Sequence, residues 1–177
     1  MNAKLMNTSI VLTVIAKDQP GIVEIVSQVL QDHDGNWTQS SMSSLAGQFA
    51  GILLASVPAN KTDACLAELQ GLESRGLHII AHVSGEESGS GDVHQYSLEL
   101  VGNDRPGIVH DITRVLVDHK VSVVSLETSV ESASMSGGEL FRARAELLVP
   151  ESSDIFALES ELEDIANDLM VDICFEK

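Results

Sequence analysis

The spacing of apolar residues changes in a regular order along the second half of the chain. Tyr96, Leu98 and Leu100 alternate with polar residues, which predicts a half-buried strand. Later apolar residues recur three and four positions apart, which predicts two amphipathic helices, and a polar loop at 131–138 separates two strand-like runs. The predicted strands are 96–100, 121–130, 140–149 and 171–175, and the predicted helices are 108–116 and 155–169.

The first half repeats the same order of elements. Its predicted strands are 10–16, 36–42, 48–57 and 77–83, and its predicted helices are 22–30 and 64–72. Two helices on one face of an antiparallel sheet form a ferredoxin-like βαββαβ unit. We predict an α+β fold of two such units.

The two halves are also related residue by residue. Residues 12–33 and 98–119 share ten identical pairs among twenty-two aligned positions, too many for unrelated segments. A polar, glycine-rich stretch at 84–92 has no apolar anchors, which predicts a flexible tether. The predicted organisation is a first domain at 1–85, a linker at 86–93 and a second domain at 94–177.

Composition narrows the classes of function. Twenty-seven acidic and ten basic residues give a net charge of −17, which argues against direct binding to DNA or RNA. Aromatic residues make up 3%, so the core should be aliphatic. No apolar run reaches the roughly eighteen residues of a membrane span, and residues 1–8 lack the apolar run of a signal peptide. Cys65 and Cys174 are far apart in sequence, which favours two reduced thiols and a cytoplasmic protein.

Two matching loops carry the chemistry that the sequence offers. Each joins the first strand of a half to its first helix, where the two copies agree most densely. Unpaired N–H groups at a helix N-terminus hold a carboxylate, and Gly21 and Gly107 allow a close approach to the backbone. Asp18 and Asp104 are placed to accept hydrogen bonds from an ammonium group. Such a loop suits both ends of a free amino acid.

The same residues also fit a purely structural start of a helix. In that interpretation the aspartate caps the helix, the proline fixes φ at the first turn, and the glycine accommodates the turn. Local chemistry leaves both interpretations open.

Duplicate βαββαβ units, each with Asp-x-Pro-Gly-Ile-Val at the first strand-to-helix junction, resemble ACT domains, small regulatory modules that commonly bind amino acids. The likeness spans nearly the whole chain. Two such domains without an attached enzyme or DNA-binding domain are similar to the glycine cleavage system transcriptional repressor family. The resemblance implies a glycine sensor that acts through a separate DNA-binding transcription regulator.

The resemblance also implies where the ligand binds. The family's second-strand asparagine falls on Asn36, whereas the second half has the shorter Ser122, so we expect two unequal sites. The implied ligand-binding residues are Asp18, Gln19, Pro20, Gly21, Ile22 and Asn36 in the first half, and Asp104, Arg105, Pro106, Gly107, Ile108 and Ser122 in the second.

Other polar residues favour neither an enzyme nor a metal site. His78 and His82 lie in a predicted strand, where four residues rise ~13 Å, too far to share an ion. No Gly-x-Ser-x-Gly segment frames a serine, and neither cysteine has a clearly activating basic neighbour. We expect no catalytic residues, no metal and no cofactor.

The main alternative is an interaction scaffold that needs no ligand. In that hypothesis the modules pair edge to edge, including between copies of the chain, and the acidic surface recruits a basic protein. Arg142 and Arg144 share one strand face, where they either line a contact between units or pair with the acidic last helix. The sequence leaves that choice open.

Overall fold

A computed structural model describes residues 6–84, 92–132 and 138–177. The chain divides into two compact units, Met1–Ser88 (unit 1) and Gly89–Lys177 (unit 2). Most of the predicted tether lies at 85–91, outside the described residues. The domain boundaries therefore stay a prediction.

Unit 1 contains all the elements that its apolar pattern predicts. They are β1 (Asn7–Lys17), α1 (Ile22–Asp32), β2 (Asn36–Leu45), β3 (Gln48–Pro58), α2 (Thr62–Gly71), a 3₁₀ turn (Leu72–Arg75) and β4 (Leu77–Val83). The strands extend beyond the apolar alternation because backbone pairing continues through polar residues at their ends.

Unit 2 repeats this order. Its elements are β5 (Val93–Asn103), α3 (Ile108–Asp118), β6 (Ser122–Ser132), β7 (Glu139–Pro150), α4 (Ile155–Leu169) and β8 (Val171–Glu176). Glu131 and Ser132 belong to β6 rather than to the predicted loop, because they still pair with Leu140 and Glu139. The rest of that loop, 133–137, lies outside the described residues.

Each unit has one four-stranded antiparallel sheet with its helices on one side. The strand orders are β2-β3-β1-β4 and β6-β7-β5-β8, so the first strand of each unit is internal. This arrangement confirms the predicted α+β class with two ferredoxin-like units.

The cores lie between the sheets and the helices and are mainly aliphatic, as the composition predicts. Alternate residues of β1 are buried, with at most 2% of each exposed: Ile10, Leu12, Val14 and Ala16. Against them pack Ile22, Val26, Val29 and Leu30 of α1. Leu98, Leu100, Ile108, Ile112, Val115 and Leu116 take the same places in unit 2. The duplicated pattern thus encodes two separate cores.

Both cysteines are free thiols in different surroundings. Cys65 is buried in the core of unit 1, and Cys174 is exposed on β8. Burial raises the pKa of the Cys65 thiol, with a smaller contribution from Glu68. In the part of the chain that the structure describes, no helix is long and apolar enough to cross a membrane.

Candidate functional site

A glycine in the left-handed region stands before the first helix of each unit. Gly21 has a φ of 95° before α1, and Gly107 has a φ of 97° before α3. This backbone conformation is costly for a residue with a Cβ atom. The turn itself therefore requires glycine in both loops.

Neither loop aspartate caps its helix. Gly21 and Gly107 are the N-cap residues, and no side chain makes a capping hydrogen bond at either one. Pro20 and Pro106 precede these caps, so the prediction that proline opens the first helical turn is wrong. The glycine turn of the structural interpretation is confirmed, whereas its capping aspartate is not.

The first turn of α1 presents main-chain donors without partners. The first helical hydrogen bond runs from Ile25 N to Gly21 O at 2.9 Å. Among the described residues, no acceptor meets the N–H groups of Ile22, Val23 or Glu24. These groups carry the partial positive charge of the helix N-terminus. A carboxylate can therefore bind here without a basic side chain.

The hairpin between β2 and β3 holds the loop of unit 1 in place. Asp18 N donates to Gly47 O at 2.9 Å, and Ser44 Oγ donates to Asp18 Oδ2 at 2.6 Å. Because Ser44 engages one carboxylate oxygen, the side chain of Asp18 has a fixed direction while its other oxygen stays available. The sequence did not reveal this contact, since it depends on the register of the hairpin.

A shallow, open depression surrounds the start of α1. Its lining residues are Asp18, Gln19, Gly21, Ile22, Val23, Glu24, Ser27 and Phe49. Of the predicted residues of unit 1, it brings together Asp18, Gln19, Gly21 and Ile22, while Pro20 is not part of the lining. The residues that the prediction missed come from the first turns of α1 and from Phe49 of β3.

The charges of this depression suit a zwitterion better than a simple anion. Asp18 and Glu24 bring two carboxylates to the rim, and the lining contains no lysine or arginine. Main-chain donors favour a carboxylate, while the two side-chain carboxylates favour an ammonium group and disfavour a multivalent anion. A free amino acid carries both groups on one carbon.

Asn36 lies at the opposite end of the sheet from this depression. It pairs with Ser56 of β3, which pairs in turn with Ser9 near the start of β1. Asp18 follows the last residue of β1, so roughly 26 Å of strand separates the two positions. Within one unit, Asn36 therefore does not join the loop residues, and Ser122 occupies the matching place in unit 2.

The loop of unit 2 differs from that of unit 1 in the charged side chain that lies nearest to its glycine. Asp104, Arg105, Pro106 and Gly107 are all exposed, and Asp104 N donates to Glu139 O at 2.9 Å. A Cβ atom at Gly107 would lie 3.8 Å from the Asp111 carboxylate, whereas one at Gly21 would meet nothing within 4 Å. Ile25 is the residue of unit 1 that matches Asp111. The start of α3 therefore has a carboxylate where the start of α1 has an apolar side chain.

In each unit, one histidine contacts a glutamate of the other helix and so links the two helices. His33 Nε2 lies 2.8 Å from Glu68 Oε2, and His119 Nε2 lies 3.2 Å from Glu161 Oε2. Both histidines are the C-cap residues of their helices, and their glutamate partners lie on the second helix of each unit. In the described ranges no group of three or more His, Cys, Asp or Glu residues is placed to hold a metal ion.

The repeated unit and its glycine-capped loop define the chain as a tandem of ferredoxin-like modules. The ACT-domain family profile matches residues 8–84 and again residues 96–166. The chain belongs to the ACT-domain family. No curated protein matches the sequence.

Solved structures share this architecture over nearly the whole chain. A protein of unknown function from Galdieria sulphuraria is 29% identical, with a TM-score of 0.86 over 97% of this chain and 98% of that one. A protein provisionally named a glycine cleavage system transcriptional repressor is 16% identical, with a TM-score of 0.66 over 97% of each chain. At that identity the second likeness shows the fold alone.

Proposed function

We propose that this chain is a regulatory protein that binds a small free amino acid at the start of α1, with glycine as the first ligand to test. The observation that carries the proposal is the set of unpaired N–H groups at Ile22, Val23 and Glu24, beside the carboxylates of Asp18 and Glu24. Main-chain donors and carboxylates in one depression match the two charges of an amino acid. Membership of the ACT-domain family supports this class of ligand.

The two loops contribute unequally in this proposal. The loop of unit 1, with Asp18, Gln19, Pro20, Gly21 and Ile22, forms the stronger site. The loop of unit 2, with Asp104, Arg105, Pro106, Gly107 and Ile108, binds more weakly because the Asp111 carboxylate lies beside Gly107, where the ligand carboxylate would dock, and because His110 stands at the position of Glu24. Asn36 and Ser122 contribute only if a different unit brings them to the loop, since each lies at the far end of its own sheet.

Glycine and the regulatory output rest on similarity rather than on local geometry. The provisional name of a fold neighbour supports a role in repression of a glycine cleavage system. The net charge of −17 opposes direct contact with DNA, so the protein would act by contacting a separate DNA-binding regulator. We place this activity in the cytoplasm.

Calorimetric titration and thermal-shift measurement with each of the free amino acids test the proposal. We expect saturable stabilisation by glycine or another small amino acid. Asp18→Asn should weaken this binding at least several-fold, because it removes a charge-assisted hydrogen bond to the ammonium group. The matched change Asp104→Asn in unit 2 should have a smaller effect. Absence of stabilisation by every amino acid would contradict the proposal.

One contact favours the alternative of a ligand-independent scaffold. Ser44 already occupies one oxygen of Asp18, so the loop is partly satisfied without a guest. A scaffold would bind its protein partner with the same affinity in the presence and absence of glycine. Measuring the affinity for the protein partner with and without glycine therefore distinguishes a sensor from a scaffold.

A further inference from the structure

Phe156 in the first turn of α4 is an aromatic side chain that stays in water. It is 85% exposed, so its ring forgoes the free energy of burial. The chain has six aromatic residues, all in the described ranges, and the other five are buried or half-buried: Trp37, Phe49, Tyr96, Phe141 and Phe175. Single exposed apolar side chains are common on protein surfaces, so exposure alone does not mark a site.

Unit 1 shows that the fold does not require an aromatic residue at this position. Asp63 of α2 matches Phe156, because each lies two residues after the N-cap of its helix. Each also lies five residues before the glutamate that contacts the C-cap histidine. An exposed carboxylate in the first turn of a helix is favourable. Phe156 thus stands where the other unit has a residue that suits both the helix and water.

Phe156 lies on the side of α4 that faces away from the sheet. Ser160 and Glu163 follow it at four and seven positions, so the three exposed side chains share one side of the helix. The residues of the buried side lie opposite them: Leu158, Leu162, Ala166 and Leu169.

A second exposed apolar residue lies at the same end of the helix pair. Val117 in the last turn of α3 is 70% exposed. Ser153 Oγ, just before α4, donates to the backbone oxygen of His119, just after α3, at 3.1 Å. The last turn of α3 and the first turn of α4 are therefore adjacent. We call Val117, Phe156, Ser160 and Glu163 the Phe156 surface.

The rest of α4 makes the Phe156 surface negative. Glu161 contacts His119, and within the described ranges the other carboxylates of α4 have no ion-pair partner. Their charge is therefore open to an outside partner. The helix contains no lysine or arginine and five acidic residues: Glu159, Glu161, Glu163, Asp164 and Asp168.

The two arginines of β7 do not neutralise this helix. Arg144 Nη2 lies 2.7 Å from Glu99 Oε1, on β5. Arg142 Nε lies 3.5 Å from Glu131 Oε2, on β6. Both arginines alternate with the buried residues of β7, so they lie on the side of the sheet away from the helices and pair with neighbouring strands.

The charge selects the kind of partner. Residues 92–177 contain eighteen acidic and six basic residues, whereas residues 1–84 contain seven and four. Nucleic acids and anionic membranes are repelled by such a surface, and a second copy of the chain would bring two acidic helices together. A protein segment rich in lysine or arginine is attracted instead, and its apolar side chains can cover Phe156.

We propose that the Phe156 surface docks a basic segment of a partner protein that also carries large apolar side chains. The carboxylates of α4 steer and orient the segment, and the ring of Phe156 is the anchor that becomes buried. The inference rests on the proposed regulatory role, since that role requires a protein partner. It places the contact on a different unit from the ligand site at α1.

A labelled peptide of defined composition tests this proposal on the full chain. The probe has about eighteen residues, or about five helical turns, with lysine and leucine spaced for an amphipathic helix. Fluorescence anisotropy should show saturable binding that weakens as the salt concentration rises. Reference peptides with glutamate in place of lysine, or serine in place of leucine, should bind at least about tenfold more weakly.

Two variants of the protein test the role of Phe156. Phe156→Asp introduces the residue of unit 1, so it should keep the wild-type circular dichroism spectrum and weaken binding of the lysine–leucine peptide at least about tenfold. Met170→Asp is the control, because it makes the same change of charge at a residue that is 77% exposed at the other end of α4. Its affinity for the peptide should stay within about twofold of the wild-type value.

The position of the contact is a separate readout. Backbone amide spectra of the full chain should show peptide-induced shifts at Val117 and at residues 155–163. Shifts confined to other surfaces would overturn the proposal. Equal weakening by Phe156→Asp and Met170→Asp, or equal binding of the three peptides, would overturn it as well.

Failure of this proposal is distinguishable from failure of the ligand site. Phe156→Asp should bind a free amino acid like the wild type, because Phe156 lies in unit 2. Amino-acid binding without peptide docking would overturn the Phe156 surface alone. Peptide docking without amino-acid binding would support the Phe156 surface and contradict the site at α1.

Discussion

Ser44 donates its hydroxyl to Asp18 Oδ2 at 2.6 Å, so the tip of the β2–β3 hairpin sets the direction of the loop carboxylate in unit 1. The main chain supports the same contact, because Asp18 N donates to Gly47 O of that hairpin. The loop that we propose as a ligand site is therefore held from two sides. Its preorganisation can be tested separately from its charge.

Removal of this hydroxyl should weaken ligand binding without unfolding the protein. In Ser44→Ala, Asp18 keeps its charge but loses its fixed direction, so we expect affinity for the amino acid to fall about two- to tenfold, the value of one ordinary hydrogen bond. Titration calorimetry measures the effect. The neighbouring change Ser43→Ala is the control and should leave affinity unchanged. Equal affinities of the wild type and Ser44→Ala would show that Ser44 does not position Asp18 for binding.

Gly21 is expected to contribute to stability through its backbone alone. Gly21→Ala should destabilise unit 1 by about 1 kcal/mol because of its φ of 95°, although the new Cβ meets no atom within 4 Å. Gly71→Ala is a matched control, since Gly71 also faces open space but has a φ of −62°. There we expect no loss or a gain of about 0.4–1 kcal/mol. Urea unfolding of both variants compares the two values, and equal losses would contradict the backbone explanation.

Apolar spacing predicts the fold well because the core positions are local. The alternation of Leu98 and Leu100, and the spacing of Ile108 and Ile112, follow directly from which side chains the sheet and helices bury. Strand ends were less predictable, since pairing continues through polar residues such as Glu131. The apolar pattern indicates which side chains are buried, but it does not indicate where the backbone pairing of a strand ends.

The candidate site was only partly predictable because its contacts cross between elements. The Asp-x-Pro-Gly repeat identified the loop and its glycine, but the bond from Ser44 to Asp18 depends on hairpin register. The family resemblance placed Asn36 with that loop, whereas β1 separates the two positions within one unit. The pairing of Arg144 with Glu99 likewise required the order of strands in the sheet.

The two cysteines should differ strongly in reactivity. Cys174 is exposed, while Cys65 is buried in the core and burial raises the pKa of its thiol. A hydrogen bond to Glu176 also raises the pKa of Cys174, so its reaction should become faster as the pH rises toward that pKa. With a disulfide-exchange reagent, we expect one thiol to react in the native protein and the second only after unfolding. Rapid reaction of both native thiols would contradict the burial of Cys65.

The paired histidine and glutamate side chains should couple the two helices of unit 1 energetically. A double-mutant cycle with His33→Ala and Glu68→Ala, measured by urea unfolding, should give a coupling energy of about 0.5–1 kcal/mol for a contact at 2.8 Å. His33 with Glu24→Ala is the control cycle, because Glu24 lies in the first turn of α1, at the opposite end of that helix. A coupling energy near zero for His33 and Glu68 would show that the contact is incidental.

Gly102 and Val171 are partners on adjacent strands and lie in close contact. Unit 1 has a different pair of residues at the matching positions. A Cβ atom at Gly102 would lie 2.3 Å from Val171 Cγ1 and 3.0 Å from Val171 Cα, whereas unit 1 has Ala16 opposite Leu77 at the same register. The branched side chain of Val171 occupies the space that alanine needs. Gly102→Ala should therefore destabilise the protein by about 1–3 kcal/mol, the usual cost of overpacking.

The compensating change is available within the same chain. Gly102→Ala combined with Val171→Leu copies the pair of unit 1 and should recover part of the lost stability, because leucine removes the clash with Cγ1 at 2.3 Å but keeps the Cβ at 2.8 Å and the Cα at 3.0 Å. Val171→Leu alone should cost less than Gly102→Ala alone, since it keeps the glycine opposite. Urea unfolding of the three variants gives the coupling energy between the two positions. If the double variant were as unstable as the sum of the single changes, the contact with the Val171 side chain would not be the reason that glycine stands at 102.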